Sequence, residues 1–113
     1  MEINVRKSGN VVVVTPVGDV NVHSTPELDA KLDELIGQGE QNYVLDLGDV
    51  PFMDSSGLGT MVKIFKRIRI GDGDVKLASP TPAIMNILRL TRLERVFDIY
   101  EEQEAAVASF GQD

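Results

Sequence analysis

Short apolar runs rich in β-branched residues alternate with amphipathic segments along this chain, and the alternation restricts the folds open to it. Val11–Val17 is the densest run, and Asn42–Leu47 and Val75–Ala78 are similar ones, so each is predicted to be a buried strand. A segment with helical apolar spacing follows each of them. Because strands joined through helices pair in parallel, the pattern predicts an α/β sheet.

The predicted order of elements is β-β-α-β-α-β-α-β-α, in one domain that takes up all 113 residues. An edge strand over Met1–Lys7 comes first, and the short link to Val11 favours an antiparallel hairpin. Val96–Ile99 is predicted as a short strand and Glu101–Phe110 as the last helix. We therefore expect a mixed sheet of about five strands, mostly parallel with an antiparallel N-terminal edge strand, and about four helices.

Several helices have recognisable starting signals. Ser24-Thr25-Pro26-Glu27 is expected to begin the first helix with a hydroxyl cap, an early proline and a carboxylate in the first turn. Thr81-Pro82 is expected to start a later helix. The helix after the double serine is the best defined, and one apolar face is formed by Leu58, Met61, Val62, Phe65 and Ile68.

The most informative segment is LDLGDVPFMDSSGLG, which predicts a strand, a turn and then two hydroxyls at the start of a helix. Ser55 and Ser56 follow Asp54 and precede Gly57 and Gly59. Backbone amides point outward at a helix start, so the position suits an anion or a phosphorylated side chain. From the residues alone, the serines also fit a helix cap or a nucleophile.

Composition excludes several classes of function. The chain has no cysteine, which removes disulfides, thiolate metal sites and cysteine nucleophiles. Its net charge of −7 argues against nucleic-acid binding. No signal pattern and no apolar run of roughly 20 residues is present, so we expect no membrane segment and a cytoplasmic protein. No metal or cofactor is expected.

Motifs of serine and nucleotide chemistry are also absent. The nucleophile pattern G-x-S-x-G does not occur, and the single histidine, His23, belongs to a polar loop. The phosphate-loop pattern G-x-x-x-x-G-K-[ST] does not occur either. We therefore expect a protein that is not an enzyme and has no catalytic residues, and esterase activity that disappears in Ser55→Ala would contradict this.

The chain resembles a STAS domain of the bacterial anti-sigma factor antagonist type over its whole length. The resemblance rests on the strand Val44–Leu47, on Phe52–Gly59 with the core D-S-S-G-L-G, and on Leu88–Leu93 leading to Val96-Phe97. It implies a mixed sheet with helices packed mainly on one side, which agrees with the order of elements predicted above.

The resemblance also implies a phosphorylation switch. In that family the serine directly after the aspartate is phosphorylated, which corresponds to Ser55 here, with Ser56 as the less favoured site. The unmodified form binds an anti-sigma factor that is also a serine kinase of the histidine-kinase-like ATPase type, and the sigma factor is released. A separate PP2C-type phosphatase resets the serine. No nucleic-acid or membrane partner is implied, and a monomer is expected.

A partner-binding surface is expected where two loops meet. The loop Gly18–Ser24 and the double serine both follow strands predicted to run in parallel, so they should lie at the same end of the sheet. Sporulation-type members carry an acidic residue where this chain has Asn21. The predicted contact residues are Asp19, Asn21, His23, Ser24, Asp54, Ser55, Ser56, Gly57, Leu58, Gly59 and Lys63.

Two other outputs remain open for the same domain. It could serve as a STAS module that regulates a transporter or a phospholipid-transport complex, or it could switch a partner unrelated to sigma factors. A gene neighbourhood with a kinase-type ATPase, a phosphatase or a sigma factor favours the antagonist, whereas transport genes favour the module.

Overall fold

A computed structural model describes residues 1–111, and its elements follow the predicted order. The strands are β1 (Glu2–Ser8), β2 (Val11–Val17), β3 (Asn42–Asp46), β4 (Asp74–Ala78) and β5 (Asp98–Tyr100). The helices are α1 (Thr25–Gly37), α2 (Ser55–Ile70), α3 (Pro82–Leu90) and α4 (Gln103–Ser109), with a short 3₁₀ helix over Leu93–Arg95.

The strands form one sheet in the order β1-β2-β3-β4-β5. β1 pairs antiparallel with β2, and all later neighbours pair in parallel. At the hairpin, Ser8 lies opposite Val11, and Gly9 takes a φ of +62° in the turn between them. The predicted mixed sheet with an antiparallel N-terminal edge strand is confirmed.

The two faces of the sheet are covered unequally. On one face, Val12 and Val14 belong to the main apolar core, which also contains the buried apolar side chains of α1, α2 and α3. On the other face, Val11 and Val13 pack with Ala106 of α4. Successive valines point to opposite faces, and all four from Val11 to Val14 are buried. Both faces of β2 are therefore covered, which explains why its apolar residues do not alternate with polar ones. Helices therefore lie mainly on one side, as expected.

The last strand and the inward face of α2 differ from the prediction. The last strand was expected over Val96–Ile99 but covers Asp98–Tyr100. A 3₁₀ turn occupies Leu93–Arg95 before it. Phe97 is buried, and its ring centroid lies 5.1 Å from that of Phe65. In α2 the inward face also contains Ile64, which is fully buried and was omitted from the predicted face.

The helices differ in how they begin. Thr81 caps α3 as predicted, because its hydroxyl oxygen accepts a hydrogen bond of 3.3 Å from the amide of Ile84. α2 is capped by Asp54. Within residues 1–111, no helix combines the length and the apolar character that are required to span a bilayer.

Candidate functional site

The candidate site lies where the chain leaves β2 and β3. The amide of Val20 donates to the carbonyl oxygen of Phe52 at 3.0 Å, and the amide of Asp54 donates to the carbonyl oxygen of Val20 at 3.2 Å. These bonds form a parallel bridge between Val20 and Met53 beyond the strands themselves. The loop after β2 and the start of α2 therefore lie side by side, as the parallel pairing predicted.

Asp54 connects these two segments with its side chain. One carboxylate oxygen, Oδ1, accepts a hydrogen bond of 2.9 Å from the amide of Gly57, which caps α2. The other, Oδ2, accepts one of 3.2 Å from the amide of Val22 in the neighbouring loop. Both oxygens are thus engaged by backbone donors, and Asp54 joins the start of α2 to the loop after β2.

Ser55 and Ser56 are the first two residues of α2, beyond the cap residue. Ser55 is exposed and Ser56 is half-buried. Neither hydroxyl has a hydrogen-bond partner among residues 1–111. The alternative in which one of these serines caps the helix is wrong, because the carboxylate of Asp54 performs that role. The hydroxyl of Ser55 is left free at the surface.

The two glycines of the motif have different surroundings. Gly57 is buried, and a Cβ on it would stand 2.5 Å from both the Val20 carbonyl oxygen and the Met53 Cγ. Gly57 therefore positions the helix and is not accessible to a partner, which corrects its place among the contact residues. Gly59 is exposed, and a Cβ there would have no neighbour within 4 Å. Leu58 is half-buried against the main core.

The loop before α1 is held by its own polar groups. The Oδ1 atom of Asn21 accepts hydrogen bonds from the amides of His23 at 2.9 Å and Ser24 at 3.2 Å. The carbonyl oxygen of Asn21 accepts from the amide of Thr25 at 2.9 Å, so a helical turn begins here and leads into α1. An amide oxygen suffices for this capping geometry, and no carboxylate is needed at position 21.

The predicted hydroxyl cap of α1 is wrong. Ser24 precedes the helix but caps no amide of it with its side chain. Its Oγ instead accepts from the amide of Asn21 at 3.0 Å and donates to the carbonyl oxygen of Asp19 at 2.8 Å. The side chain of Asn21 takes the capping role one turn earlier. Asp19 and His23 are exposed beside this turn.

Lys63 lies about two turns along α2 from Ser55. It is eight positions beyond Ser55 on α2, which corresponds to about 12 Å along the helix. Its Nζ is 3.0 Å from Oδ2 of Asp29 on α1. On the next turn, Arg67 Nη1 lies 2.8 Å from Asp33 and 3.3 Å from Asp29. Both cations therefore contact carboxylates of α1 within the domain.

Two exposed apolar side chains lie close to Asp54 in the chain or through its hydrogen bonds and are not among the predicted contact residues. Val22, whose amide bonds to Asp54, is 57% exposed, and Phe52 is 51% exposed. Phe52 belongs to the motif Phe52–Gly59, and Val22 belongs to the loop Gly18–Ser24. A large apolar residue in a turn rich in proline and aspartate was the available signal, because turns seldom need such side chains for their own stability.

No group of three or more His, Asp or Glu side chains that could hold a metal ion occurs in the described part of the chain. The first eight residues of α2, Ser55–Val62, contain no charged side chain. The helix start therefore presents free amide dipoles, a free hydroxyl and neighbouring apolar side chains. Such a surface is suited to protein contact.

Known proteins resemble this chain in sequence and in structure. A family model described as STAS domain matches residues 2–106. The anti-sigma-B factor antagonist of Bacillus subtilis is 32% identical over 107 residues, which cover 95% of this chain and 97% of the relative.

Solved structures agree with this result. The crystal structure of a proposed anti-sigma factor antagonist from Thermotoga maritima superimposes with a TM-score of 0.90 at 29% identity, and covers 95% of this chain and 92% of the other. The Bacillus cell fate determinant SpoIIAA in its phosphorylated form has the same fold, with a TM-score of 0.76 at 21% identity and coverage of 96% and 99%.

Proposed function

This chain belongs to the STAS domain family, in the group of bacterial anti-sigma factor antagonists, and we propose that it is itself a binding module switched by phosphorylation of Ser55. In the unphosphorylated form it binds an anti-sigma factor, so that the corresponding sigma factor is released. In the phosphorylated form it no longer binds. Relatives named as antagonists of anti-sigma-B and anti-sigma-F factors support the role.

The observation that carries the proposal is the state of the Ser55 hydroxyl. It is exposed at the first position of α2 and has no hydrogen-bond partner among the described residues. A kinase can therefore reach it without breaking an interaction of the domain. Asp54 on one side and buried Gly57 on the other fix the backbone that carries it.

Phosphorylation should leave the fold of the free domain intact. A phosphate on Ser55 adds about −1.5 to −2 charges at neutral pH. The amides of the helix start favour that charge by roughly 0.3–1 kcal/mol, whereas the neighbouring carboxylate of Asp54 opposes it. These effects nearly cancel, and the exposed phosphate keeps its hydration.

The effect in a complex is much larger. A partner surface shaped for a neutral hydroxyl and for exposed Phe52 and Val22 must desolvate the phosphate without compensating cations. A penalty of only about 4 kcal/mol lowers the affinity roughly a thousandfold. The switch therefore acts on binding and not on folding.

The proposal includes two enzymes that add and remove the phosphate on Ser55. The anti-sigma factor is also the kinase, an ATPase of the histidine-kinase-like type, and a PP2C-type phosphatase removes the phosphate. The domain itself is a substrate and a ligand. In support, no hydrogen bond joins the Ser55 hydroxyl to Asp54 or to His23 among the described residues, so no side-chain base activates it as a nucleophile.

The decisive experiment maps the phosphate. The protein is incubated with ATP and each candidate kinase, and phosphopeptides are sequenced by mass spectrometry. We expect phosphate on Ser55 in the wild type and in Ser56→Ala, and none in Ser55→Ala. Phosphate on Ser56 would move the site by one residue. Absence of phosphate with every kinase from the same gene neighbourhood would overturn the switch.

A further inference from the structure

A cleft of about 580 Å³ lies between α3 and β5 and shares no residue with the serine site. Met85 and Arg89 line it from α3, and Ile99, Tyr100 and Glu101 line it from β5 and the residue after it. Its size is within the range of cavities that bind ligands. Nothing in the proposed switch uses these residues.

One wall of the cleft is the free edge of the sheet. β5 is the last strand in the order, and no further strand pairs with it among residues 1–111. The carbonyl oxygen of Tyr100 accepts a hydrogen bond of 2.9 Å from the amide of Ser79, so the polar backbone groups of Tyr100 face β4. Those of the adjacent residue, Ile99, therefore point away from β4 and towards the open edge.

A free strand edge beside a helix can accept another strand. An extended peptide that lies in such a groove pairs its main chain with the edge and places alternate side chains against the helix. Ile99 supplies the donor and the acceptor on the edge. Met85, which is half-buried, supplies apolar surface on the helix. The geometry is that of strand addition.

Charge indicates which peptide fits. Arg89 is exposed in the cleft and forms no ion pair with any described residue, unlike Arg67 and Arg69 on α2, which are paired with aspartates. The domain as a whole carries a net charge of −7, so an acidic partner is not attracted to its surface in general. A carboxylate is favoured only beside Arg89, whose guanidinium can bind it in a bidentate manner, because Glu101 also lines the cleft and repels it elsewhere.

We propose that this cleft binds an extended segment of a partner protein by strand addition to β5. The segment carries an acidic side chain that pairs with Arg89 and an apolar side chain that packs on Met85. The surface is a second interface of the domain, separate in residues from the one that contains Ser55.

The probe is a phage-displayed library of random peptides selected on the intact protein. We expect the selected peptides to share an acidic residue at a fixed distance from an apolar one. In NMR titrations of the labelled protein, binding should shift the amide of Ile99 and slow its hydrogen exchange, because that amide gains an acceptor. Selected peptides that perturb only the region around Ser55 would overturn the proposal, as would a library that yields no binder.

Two matched variants of the protein test the contribution of Arg89. Arg89→Glu should weaken binding of the selected peptide at least about tenfold, which corresponds to about 1.4 kcal/mol. Arg92→Glu makes the same charge change at another exposed arginine without an ion pair among residues 1–111, outside the cleft, and should leave binding unchanged.

N-methylation of the peptide, one position at a time, separates strand addition from binding by side chains alone. The one peptide amide that donates to the Ile99 carbonyl oxygen should be sensitive and its two neighbours should not, because adjacent amides of a strand face opposite sides. Sensitivity without this alternation, or equal effects of the two arginine variants, would overturn strand addition to β5.

Discussion

The carbonyl oxygen of Val20 and the backbone of Gly57 are in such close contact that a Cβ on residue 57 would stand 2.5 Å from that oxygen. The same Cβ would stand equally close to the Cγ of Met53. The missing side chain thus lets the loop after β2 and the first turn of α2 approach each other. The position of Ser55 relative to that loop depends on this contact.

Gly57→Ala should therefore destabilise the domain by about 1–3 kcal/mol, because a methyl group is forced into backbone and side chain that are already packed. Gly59→Ala is the matched control on the same helix, since a Cβ there meets nothing within 4 Å. The control should stabilise the domain by roughly 0.5–1 kcal/mol through higher helix propensity. Urea denaturation measures both values, and similar effects of the two changes would contradict the contact.

Asp54→Ala should lower the free energy of unfolding by about 0.5–2 kcal/mol, the usual cost of losing a helix cap. Loss of the bond to the Val22 amide adds to it. Asp54→Asn retains one oxygen acceptor and should lose less. Thermal melts should separate the two by several degrees, and a melt of Asp54→Ala equal to that of the wild type would show that the cap contributes nothing.

Ser55→Asp and Ser55→Glu should abolish binding to the anti-sigma factor, while the melting curve followed by circular dichroism barely moves. The added charge is solvated in the free domain and desolvated only in the complex. Ser56→Asp is the neighbouring control. It should weaken binding less, because the side chain of Ser56 is half-buried whereas that of Ser55 is exposed to the partner. Isothermal titration calorimetry measures the affinities. A mimic at position 55 that binds normally would argue strongly against the switch.

Phe52→Ser should reduce affinity for the same partner at least about tenfold, because central apolar anchors dominate most interfaces. Its stability should change little, since the ring is 51% exposed. Leu90→Ser removes another exposed apolar side chain, 76% exposed at the end of α3, and serves as the control that leaves affinity unchanged. Equal losses for both variants would indicate a general effect of surface hydrophobicity.

Tyr43 predicts a loss of stability in alkaline solution. Burial, and secondly the carboxylate of Glu40, raise the pKa of Tyr43 from 10.0 to about 12. The folded state therefore binds the phenol proton of Tyr43 more tightly than the unfolded state does. The resulting contribution to the free energy of unfolding is complete below pH 10 and is lost as the pH rises through about 12.

Relative to Tyr43→Phe, the wild type should lose about 1.4 kcal/mol per pH unit between these two values. At neutral pH the variant should be less stable by about 1 kcal/mol, because it lacks the 2.7 Å hydrogen bond to the Glu40 carbonyl oxygen. Guanidinium denaturation over a pH series measures the difference. Parallel curves for the two proteins would contradict the raised pKa.

Periodicity was sufficient to predict the sheet, because the features that determine it are local. The run Val11–Val17, the hairpin before it and the helix after Thr81 each depend on residues that are close in sequence. The last strand was displaced because Phe97 packs on Phe65, a contact that is distant in sequence. No local pattern shows which of several apolar residues near Val96 enters the core.

The site was predicted less completely for the same reason. That the loop after β2 lies beside the start of α2 could be inferred from parallel pairing. The motif offered Ser55 and Ser56 as caps of α2, whereas Asp54 takes that role. That Asn21 and not Ser24 has the capping role before α1 depends on where the preceding backbone turns, and several residues there can cap. The pairing of Lys63 with Asp29 joins two helices, so sequence alone did not reveal it. Ser55 as the phosphorylated residue stays a prediction.

The consecutive strand order of the sheet has a consequence for biosynthesis. Each strand pairs with the one made just before it, so no strand has to be inserted between two that are already joined. During translation the sheet can grow at one edge, with each new strand adding to the last. Closing one strand–helix–strand unit at a time keeps the entropic cost of each loop closure low. Among residues 1–111, the open side of β5 is the edge that this order of addition leaves unpaired.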